Sequence, residues 1–540
     1  MARRSAARHA RRLRRITPRR WLPFVALLAL VVGAVFVERD QDDPVAVAAA
    51  VAAPSASMPV AAVPGALSTA WYCSGGSARG EDGPAELSVV IANVSATGTR
   101  AQVTAYGSDG KRVRREIQVP ANGRTRVVAA DLVTADWASL TVEVLGGRAG
   151  VEREVKGPRG VDASPCSSTA AGQWLIPSGS TAIGATEDLF LFNPFPDATS
   201  VDISFATTEG NKAPRSLQGL LVPARSLRVV PSADLPARLP AIATKVTART
   251  GRVVVDRLQT YDGKGDVVEG ATDQADTAAP QGIASTAAIP APATRWFFPD
   301  AVNDEGTRTQ LALYNPTGRQ ARLEVVIAYE DPGRQTAIDP IEVDVRAREQ
   351  QIVDLTKTGG IETGVPYTID VRSLDDVPIA AEQLRFGASA PAAPAVEDGA
   401  GEEQDPDAEE APTAEPVRGF AVLAGSPLAA RSWLLPSRGA SKAQVATVVV
   451  ANPGLATVTV RVAAYAQGSR TAVADATVRI PGGDRRTIEL GDPAANPALV
   501  VTASGPVVVG HAAVVRAGLG ISASLGSPFP ATVSELPPAG

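Results

Sequence analysis

The sequence contains few of the residues from which metal sites and many catalytic sites are built. Only two of its 540 residues are histidine, His9 and His511, and only two are cysteine, Cys73 and Cys166. A structural zinc site needs several Cys or His ligands at short spacing, and these positions do not provide them. The sequence also lacks a Gly-rich phosphate loop ending in Lys-Ser/Thr and a Gly-x-Ser-x-Gly nucleophile motif. We therefore predict no metal, no cofactor and no catalytic residues.

Aromatic residues and amphipathic helical patterns are scarce as well. Phe, Trp and Tyr make up 4% of the chain, which leaves few of them for an exposed sugar-binding face. Short runs of alternating apolar and polar residues are common instead, and this period favours β-strands. A chain of this length exceeds one hydrophobic core and predicts about three to five domains. The fold class that we predict is all-β.

Two stretches, residues 1–20 and 389–417, carry charges of only one sign. The first of them indicates a neighbouring membrane segment. Residues 1–20 carry nine arginines and no acid, and residues 21–37 carry no charge at all. We interpret them as a cytoplasmic arm followed by a single transmembrane helix, with the rest of the chain extracytoplasmic. The small residues Ala46-Val47-Ala48 leave a cleaved signal peptide as the alternative. Residues 38–68, rich in Ala, Val and Pro, are predicted to be a spacer, and we predict no nucleic-acid partner.

Two landmarks recur four times along the remaining chain. A tryptophan opens each copy, and an asparagine follows nineteen residues later in three copies and twenty-two residues later in the first. In the later three copies the tryptophan begins a Trp-x-x-Pro motif and the asparagine precedes a proline. The landmarks are Trp71, Trp174, Trp296 and Trp433, with Asn93, Asn193, Asn315 and Asn452.

The repeat predicts four tandem immunoglobulin-like β-sandwich units, because each copy has about seven short strands in roughly 100 residues. We place unit one at 69–167, unit two at 168–268, unit three at 294–388 and unit four at 418–540. Residues 269–293 are predicted to be a linker between units two and three. Residues 389–417, with a run of acids, are predicted to be an extended linker between units three and four.

The two cysteines lie at the two ends of unit one. If unit one is outside the cell, a disulfide between Cys73 and Cys166 is expected. The loop-entropy model gives such a bond about 4–5 kcal/mol. Two buried free thiols are the alternative.

The landmarks also resemble a known kind of repeat. Trp-x-x-Pro, Asn-Pro and the strand Val377-Pro378-Ile379-Ala380-Ala381-Glu382 are similar to those of bacterial extracellular β-sandwich repeats. The whole layout resembles an uncharacterised actinobacterial family of membrane-anchored secreted proteins with an Arg-rich cytoplasmic arm. This resemblance implies a cell-envelope location and no established activity.

Each recurring residue has a structural and a functional interpretation. The tryptophans are expected to cover the sandwich cores, although they could stack on sugars. The asparagines are expected to satisfy turn backbone rather than a ligand. An acid recurs in the corresponding strand of units one to three, as Glu152, Asp256 and Glu382. For these acids an ion pair within the unit or an exposed strand edge is favoured over a catalytic carboxylate pair. Unit four has Gly510-His511 where the other three units have the acid. For His511 a structural role is favoured over a catalytic one.

The function that we expect is non-enzymatic. The chain would be a membrane-anchored binding or scaffolding protein of the bacterial envelope, whose partner is an envelope protein or wall polysaccharide. Repeated weak contacts would be reinforced by tethering. The alternatives are a carbohydrate-binding array that uses the tryptophans on wall glycan and, less favoured, a hydrolase that uses His511 or paired acids.

Overall fold

The structure, a computed structural model, describes residues 56–63, 65–265, 279–304, 307–330, 338–387, 419–437, 444–466, 468–489, 497–515 and 520–538. The predicted arm, the predicted transmembrane helix and most of the predicted spacer lie outside these residues. Within them the chain is all-β, as expected. No helix of the described part is long and apolar enough to cross a membrane.

The strands fall into four consecutive groups. Unit one contains β1 (Thr69–Ala78), β2 (Glu86–Asn93), β3 (Thr99–Gly107), β4 (Arg112–Val119), β5 (Gly123–Val128), β6 (Ala135–Leu145), β7 (Ala149–Gly157) and β8 (Gly160–Pro165). Unit two contains β9 (Gln173–Ile176), β10 (Ala185–Asn193), β11 (Thr199–Thr207), β12 (Gly210–Lys212), β13 (Leu220–Val222), β14 (Ser226–Val230), β15 (Ile242–Thr250), β16 (Val254–Asp262) and β17 (Gln281–Ala287).

Units three and four continue the series. Unit three contains β18 (Arg295–Ala301), β19 (Arg308–Tyr314), β20 (Ala321–Tyr329), β21 (Ile341–Val345), β22 (Gln350–Asp354), β23 (Tyr367–Ser373), β24 (Ala380–Phe386) and β25 (Phe420–Ala424). Unit four contains β26 (Leu428–Leu435), β27 (Gln444–Ala451), β28 (Val458–Ala466), β29 (Ser469–Ile480), β30 (Arg485–Glu489), β31 (Ala498–Val515), β32 (Ile521–Leu525), β33 (Ser527–Pro528) and β34 (Val533–Glu535). Short 3-10 helices span Gly80–Asp82, Ala129–Asp131, Arg215–Leu217, Ser232–Asp234 and Pro530–Thr532.

The same strand order recurs in all four groups. In unit two, one sheet has the order β14-β10-β16-β17 and the other has β12-β11-β15-β9. Unit three repeats this arrangement as β22-β19-β24-β25 and β21-β20-β23-β18. In units one and four the equivalent strands are linked into one larger sheet each. Side chains from both sheets of a unit meet in a shared apolar core, which makes each unit sandwich-like.

Alternation along the strands explains which side faces this core. Strand β11 buries Val201, Ile203 and Phe205 almost completely, while the residues between them are only partly buried. This period of two places one apolar face against the opposite sheet. The hydrophobic pattern therefore determines the register of the strand.

The two predicted linkers between units are connections between paired strands within one unit. Strand β17 lies inside 269–293 and pairs antiparallel with β16 of unit two. Strand β25 lies inside the range predicted for unit four, yet it pairs with β24 of unit three, with Phe386 opposite Phe420. The Ala/Ser/Thr-rich stretch and the acidic stretch therefore each connect two paired strands of one sheet. The sequence could not separate an insertion within a unit from a linker between units, because both are polar and rich in small residues.

The last sheet strands of the four units surround a common axis. Strand β8 packs against β17 and β32, and β25 packs against the same two strands. Glycines allow this approach: a Cβ on Gly282 would lie 2.4 Å from the amide nitrogen of Phe420, and one on Gly419 would lie 2.6 Å from that of Ile521. Gly282 also has a φ of +154°, which other residues rarely adopt. The four units thus form a closed ring rather than an open string.

Both ends of the described chain meet where the ring closes between unit four and unit one. The amide of Ala61 donates to the carbonyl of Pro528 (3.0 Å), and the amide of Ala62 donates to Ala149 (2.8 Å). Val60, Ala61 and Ala62 are at most 4% exposed. This part of the predicted spacer is therefore packed into the ring, and the described residues between 56 and 538 belong to one compact unit.

Candidate functional site at the junctions between units

The landmark tryptophans occupy the same place in every unit. Trp71, Trp174, Trp296 and Trp433 are at most 1% exposed. Three of the four indole N–H groups donate to a backbone carbonyl of their own unit, at 2.8 Å from Val253, 2.8 Å from Ile379 and 3.0 Å from Val507. Burying the ring while satisfying its only polar group stabilises the sandwich interior. No face of these rings is available to stack on a sugar.

The landmark asparagines form the same turn four times. In unit four, Nδ2 of Asn452 donates to the carbonyls of Ala456 (2.8 Å), Ile480 (3.1 Å) and Pro481 (2.9 Å). Its Oδ1 accepts from the amide of Gly454 at 3.1 Å. Asn93, Asn193 and Asn315 make equivalent bonds four residues and about thirty residues ahead. Each amide therefore connects its turn to the end of a later strand of the same unit, as Asn452 does to Ile480 at the end of β29.

The predicted disulfide is confirmed. Cys73 and Cys166 are bonded, with Cα atoms 4.9 Å apart, and both are fully buried. Cys166 lies just beyond β8, so the bond connects the first strand of unit one to the end of its axial strand. The disulfide holds the axial edge of this unit in place.

The repeated acids differ from the expectation in two respects. We expected ion pairs within a unit or exposed strand edges, whereas the acids are buried and their polar contacts cross from one unit to the next. We call the contact between units one and two junction 1/2, and name the other junctions in the same way. At junction 1/2, Nη1 of Arg153 lies 2.7 Å from Oδ1 of Asp256, and both side chains are fully buried. Arg153 also donates to the carbonyl of Ser74 (2.7 Å) and to Oγ of Ser164 (3.0 Å).

Junction 2/3 has the same design one unit further on. Nη2 of Arg257 lies 3.3 Å from both carboxylate oxygens of Glu382. Ser178 donates to Oε2 of Glu382 through its amide (3.1 Å) and its hydroxyl (2.5 Å). Arg257 in turn donates to the hydroxyl of Ser178 (3.0 Å) and to Thr286 (3.0 Å). The serine that follows Trp-x-x-Pro thus connects the arginine of its own unit to the acid of the next.

Junction 3/4 departs from this design. The acid position is Gly510, and a Cβ there would lie 2.9 Å from Cγ of Pro299. The arginine position is Gln383, so neither side of the pair is charged. An aspartate, Asp300, replaces the serine and pairs with Nη2 of Arg485 in unit four at 2.9 Å.

Junction 4/1 keeps the acid and the serine. Ser437 donates to Oε2 of Glu152 through its amide (3.0 Å) and its hydroxyl (2.8 Å). The arginine position of unit four is His511, which is 3% exposed. His511 pairs with Ser524 of β32 in the same way that Arg153 pairs with Ser164.

Burial dominates the electrostatics of the junctions. It raises the pKa of Glu152 to about 8, and the hydrogen bonds from Ser437 only partly oppose this. It also raises the pKa of Glu187, which is fully buried near Arg257 and Glu382, to about 8. Asp162 accepts from the amide of Ser285 (2.8 Å) across junction 1/2, and burial raises its pKa to about 6. Two of these carboxyls therefore hold a proton at neutral pH.

Sequence reasoning missed two elements of the junctions. The serine after Trp-x-x-Pro was visible in units two and four, whereas in unit one Ser74 follows Trp71 by three residues instead of four. The axial strands share a glycine followed by an apolar residue: Gly160-Val161, Gly282-Ile283, Gly419-Phe420 and Gly520-Ile521. This further landmark could have been found from the repeat alone.

The arrangement binds units together but does not assemble a metal site. Within the described residues, no group of three or more His, Cys, Asp or Glu side chains could hold a metal ion. Each of the three recurring acids contacts a serine or arginine of the preceding unit. The junctions thus use the charged residues that the sequence singled out as candidates.

The fold and the junctions define a class: an all-β protein of four like, sandwich-like units closed into a ring, with one disulfide. The chain belongs to the family of unknown function DUF5719, whose profile matches residues 146–425, just over half of the sequence. No curated protein matches it.

Two solved structures are similar to parts of the chain. The crystal structure of Thermotoga maritima 1070 covers 25% of this chain and 94% of its own, at 20% sequence identity and a TM-score of 0.17. The structure of a tetra-tandem repeat in the extending region of a large adhesion protein covers 81% of this chain and 92% of its own, at 11% identity and a TM-score of 0.09. Both TM-scores are too low to carry an argument about fold or function.

Proposed function

We propose that this chain is a non-enzymatic, membrane-anchored scaffold of the bacterial envelope, built from four immunoglobulin-like sandwiches. Its arginine-rich arm would be cytoplasmic and its ring extracytoplasmic. The charge asymmetry around residues 21–37 supports this orientation. The disulfide Cys73–Cys166 supports it too, because such bonds persist in oxidising compartments.

One observation carries the scaffold proposal: buried or partly buried polar contacts join every unit to the next. Arg153–Asp256 and Arg257–Glu382 are two ion pairs that water does not reach. The loops of different units are therefore held at fixed separations. A partner that contacts two units at once binds a preorganised surface, so it loses less conformational entropy than it would on a flexible string.

The partner that fits this proposal is an envelope protein or a wall polysaccharide that contacts exposed loops. Exposed apolar side chains lie on such loops in different units, among them Ile183 (59% exposed) and Leu455 (71% exposed). Since the four landmark tryptophans are buried, recognition of a glycan would use other residues.

Photo-crosslinking in intact cells tests the proposal. A photoreactive residue at Ile183 or Leu455 of the full chain should capture one reproducible set of envelope components. A matched variant without residues 21–37 should capture none of them and should keep Cys73 and Cys166 reduced. Capture of the same set by both variants, or of nothing by the full chain, would refute an envelope scaffold.

A further inference from the structure

The ring covers one edge strand of each unit and leaves another open. The covered strands are β5, β14, β22 and β30, and each contacts the preceding unit. For example, Gln350 of β22 donates to the carbonyl of Pro177 in unit two at 2.7 Å. The open strands are β4 in unit one, β12 and β13 in unit two, β21 in unit three and β29 in unit four. Each of them pairs with one strand of its own sheet, and no described strand pairs with its other side.

Two of these four open edges are interrupted. In unit two, a 3-10 helix at Arg215–Leu217 separates β12 from β13. In unit four, the pairing of β28 with β29 shifts its register between Arg461 and Ala463. Such irregularities protect an edge from pairing with another strand. The ring therefore keeps two of its open edges from adding a further strand.

The edges of units one and three are continuous. Strand β4 pairs with β3 over eight residues without a shift, and β21 pairs with β20 over five. The other side of each strand offers a row of backbone N–H and C=O groups. A further strand can bind to such a row through main-chain hydrogen bonds.

The two continuous edges carry opposite charges at the same spacing. Arg112 and Arg114 lie on the solvent side of β4, and Glu342 and Asp344 lie on the solvent side of β21. All four side chains are exposed, and none forms an ion pair with another residue that the structure describes. Charge alone would keep either edge from pairing with a copy of itself, but the two edges complement each other.

We propose that β4 of one copy of this chain pairs with β21 of a second copy, so that one sheet continues across both chains. Arg112 and Arg114 then lie beside Glu342 and Asp344 in a parallel or an antiparallel arrangement, because each pair of residues is spaced by two. Val113, which is 38% exposed, lies beside Val343 between the charged pairs.

Pairing of like edges is disfavoured. Two β21 strands bring Glu342 or Asp344 opposite another acid. Two β4 strands bring an arginine opposite an arginine, which happens at Arg115 when Arg114 faces Glu116. Like charges that lie directly opposite each other destabilise a strand pair. The contact is therefore head-to-tail, and it leaves one basic and one acidic edge free to add further copies.

Photo-crosslinking of the purified full chain in detergent tests the proposal. Because β21 has only five residues, the contact is weak, and covalent capture suits it better than a measurement at equilibrium. Chains with a photoreactive residue at Val113 are mixed with isotope-labelled chains that lack it. We expect products of two chains in which the probe is attached to β21 of the labelled chain. Their yield should fall as salt is added.

A probe at Leu221 is the matched control. Leu221 lies in β13, on the interrupted edge of unit two, and is 58% exposed. It should give no such product. A yield at Val113 no higher than at Leu221 would overturn the proposal. Capture of the Val113 probe by a second β4, or by the acidic residues 389–417, would assign the basic edge to another occupant and overturn it as well.

Reversal of charge separates recognition from chance contact. Arg112→Glu with Arg114→Glu in the probe chain should lower the yield roughly tenfold, because two attractions become two repulsions. Glu342→Arg with Asp344→Arg in the labelled chain should lower it equally against the unaltered probe chain. The two reversed chains together should restore it, which also shows that both are folded. A yield that does not respond to either reversal would refute the pairing of these edges.

Discussion

The interiors of the four units are nearly copies of one another, whereas the junctions between them are not. Every interior buries one tryptophan and one asparagine, and the asparagine makes the same turn contacts in all four units. The junctions use an Arg–Asp pair, an Arg–Glu pair, an uncharged Gln/Gly position and a His/Glu position. The interior contacts fold a unit, and the junctions determine which unit follows which, since only complementary neighbours leave no buried charge without a partner.

This difference gives the ring an order. If unit four were placed after unit two, Arg257 would face Gly510 instead of Glu382. A buried guanidinium without a carboxylate costs several kcal/mol, so that arrangement is disfavoured. Four identical junctions would allow any order of units around the ring. The unequal junctions therefore favour one order.

The interior is where a single truncation should cost most. Trp296→Ala removes a fully buried ring and its bond to Ile379, so we expect the free energy of unfolding to fall by about 3–5 kcal/mol. Urea denaturation measures this loss. Trp296→Phe, which keeps an aromatic ring but loses the N–H donor, is the matched control and should cost less. A stable Trp296→Ala protein would mean that the ring lies outside the core.

A junction should be almost as sensitive when one charge loses its partner. Arg257→Met leaves Glu382 buried without its cation, and we expect a loss of about 3–5 kcal/mol in the free energy of unfolding. Adding Glu382→Gln should recover much of it, because the uncompensated charge is then gone. If the double variant is as unstable as the single one, the cost comes from packing rather than from charge.

The interior was largely accessible from the sequence. Trp174 and Asn193 recur at fixed spacing because their contacts lie within one unit, and a repeat reveals what is local to it. The position of each strand followed from the alternation around these landmarks. The predicted disulfide had the same local character, since Cys73 and Cys166 lie at the two ends of one unit.

The junctions were not accessible in the same way. Arg153 and Asp256 are 103 residues apart, and Glu152 and Ser437 are 285 apart. Their contact depends on how the units are arranged, which no periodicity reports. A signal did exist: in the four acid–base positions, a missing acid at Gly510 coincides with a missing base at Gln383. Only a comparison shifted by one unit exposes it.

The disulfide distinguishes unit one from the others, and removing it should have an intermediate effect. Replacing Cys73 and Cys166 together by serine should lower the free energy of unfolding by about 2–4 kcal/mol, because the unfolded chain gains freedom. Thermal denaturation with and without reductant measures it. The double-serine protein should not respond to reductant, whereas the parent should. Equal stability of the double-serine protein and the oxidised parent would show that the packing at this site needs no bond.

The smallest predicted effect concerns the one landmark that unit one lacks. Units two to four have proline after the asparagine, at Pro194, Pro316 and Pro453, whereas unit one has Val94. The amide of Val94 donates to the carbonyl of Arg148 at 2.9 Å, and proline has no such donor. Val94→Pro should therefore destabilise the chain by about 1–3 kcal/mol, although it makes the four units more alike.

The reverse substitution in unit four is the matched control. Pro453→Val should cost only about 0.4–1 kcal/mol, because it mainly increases the freedom of the unfolded chain. Urea denaturation of both variants compares the two units directly. If Val94→Pro were stabilising, the bond to Arg148 would contribute nothing, and the difference between unit one and the others would be a difference of sequence without a structural cause.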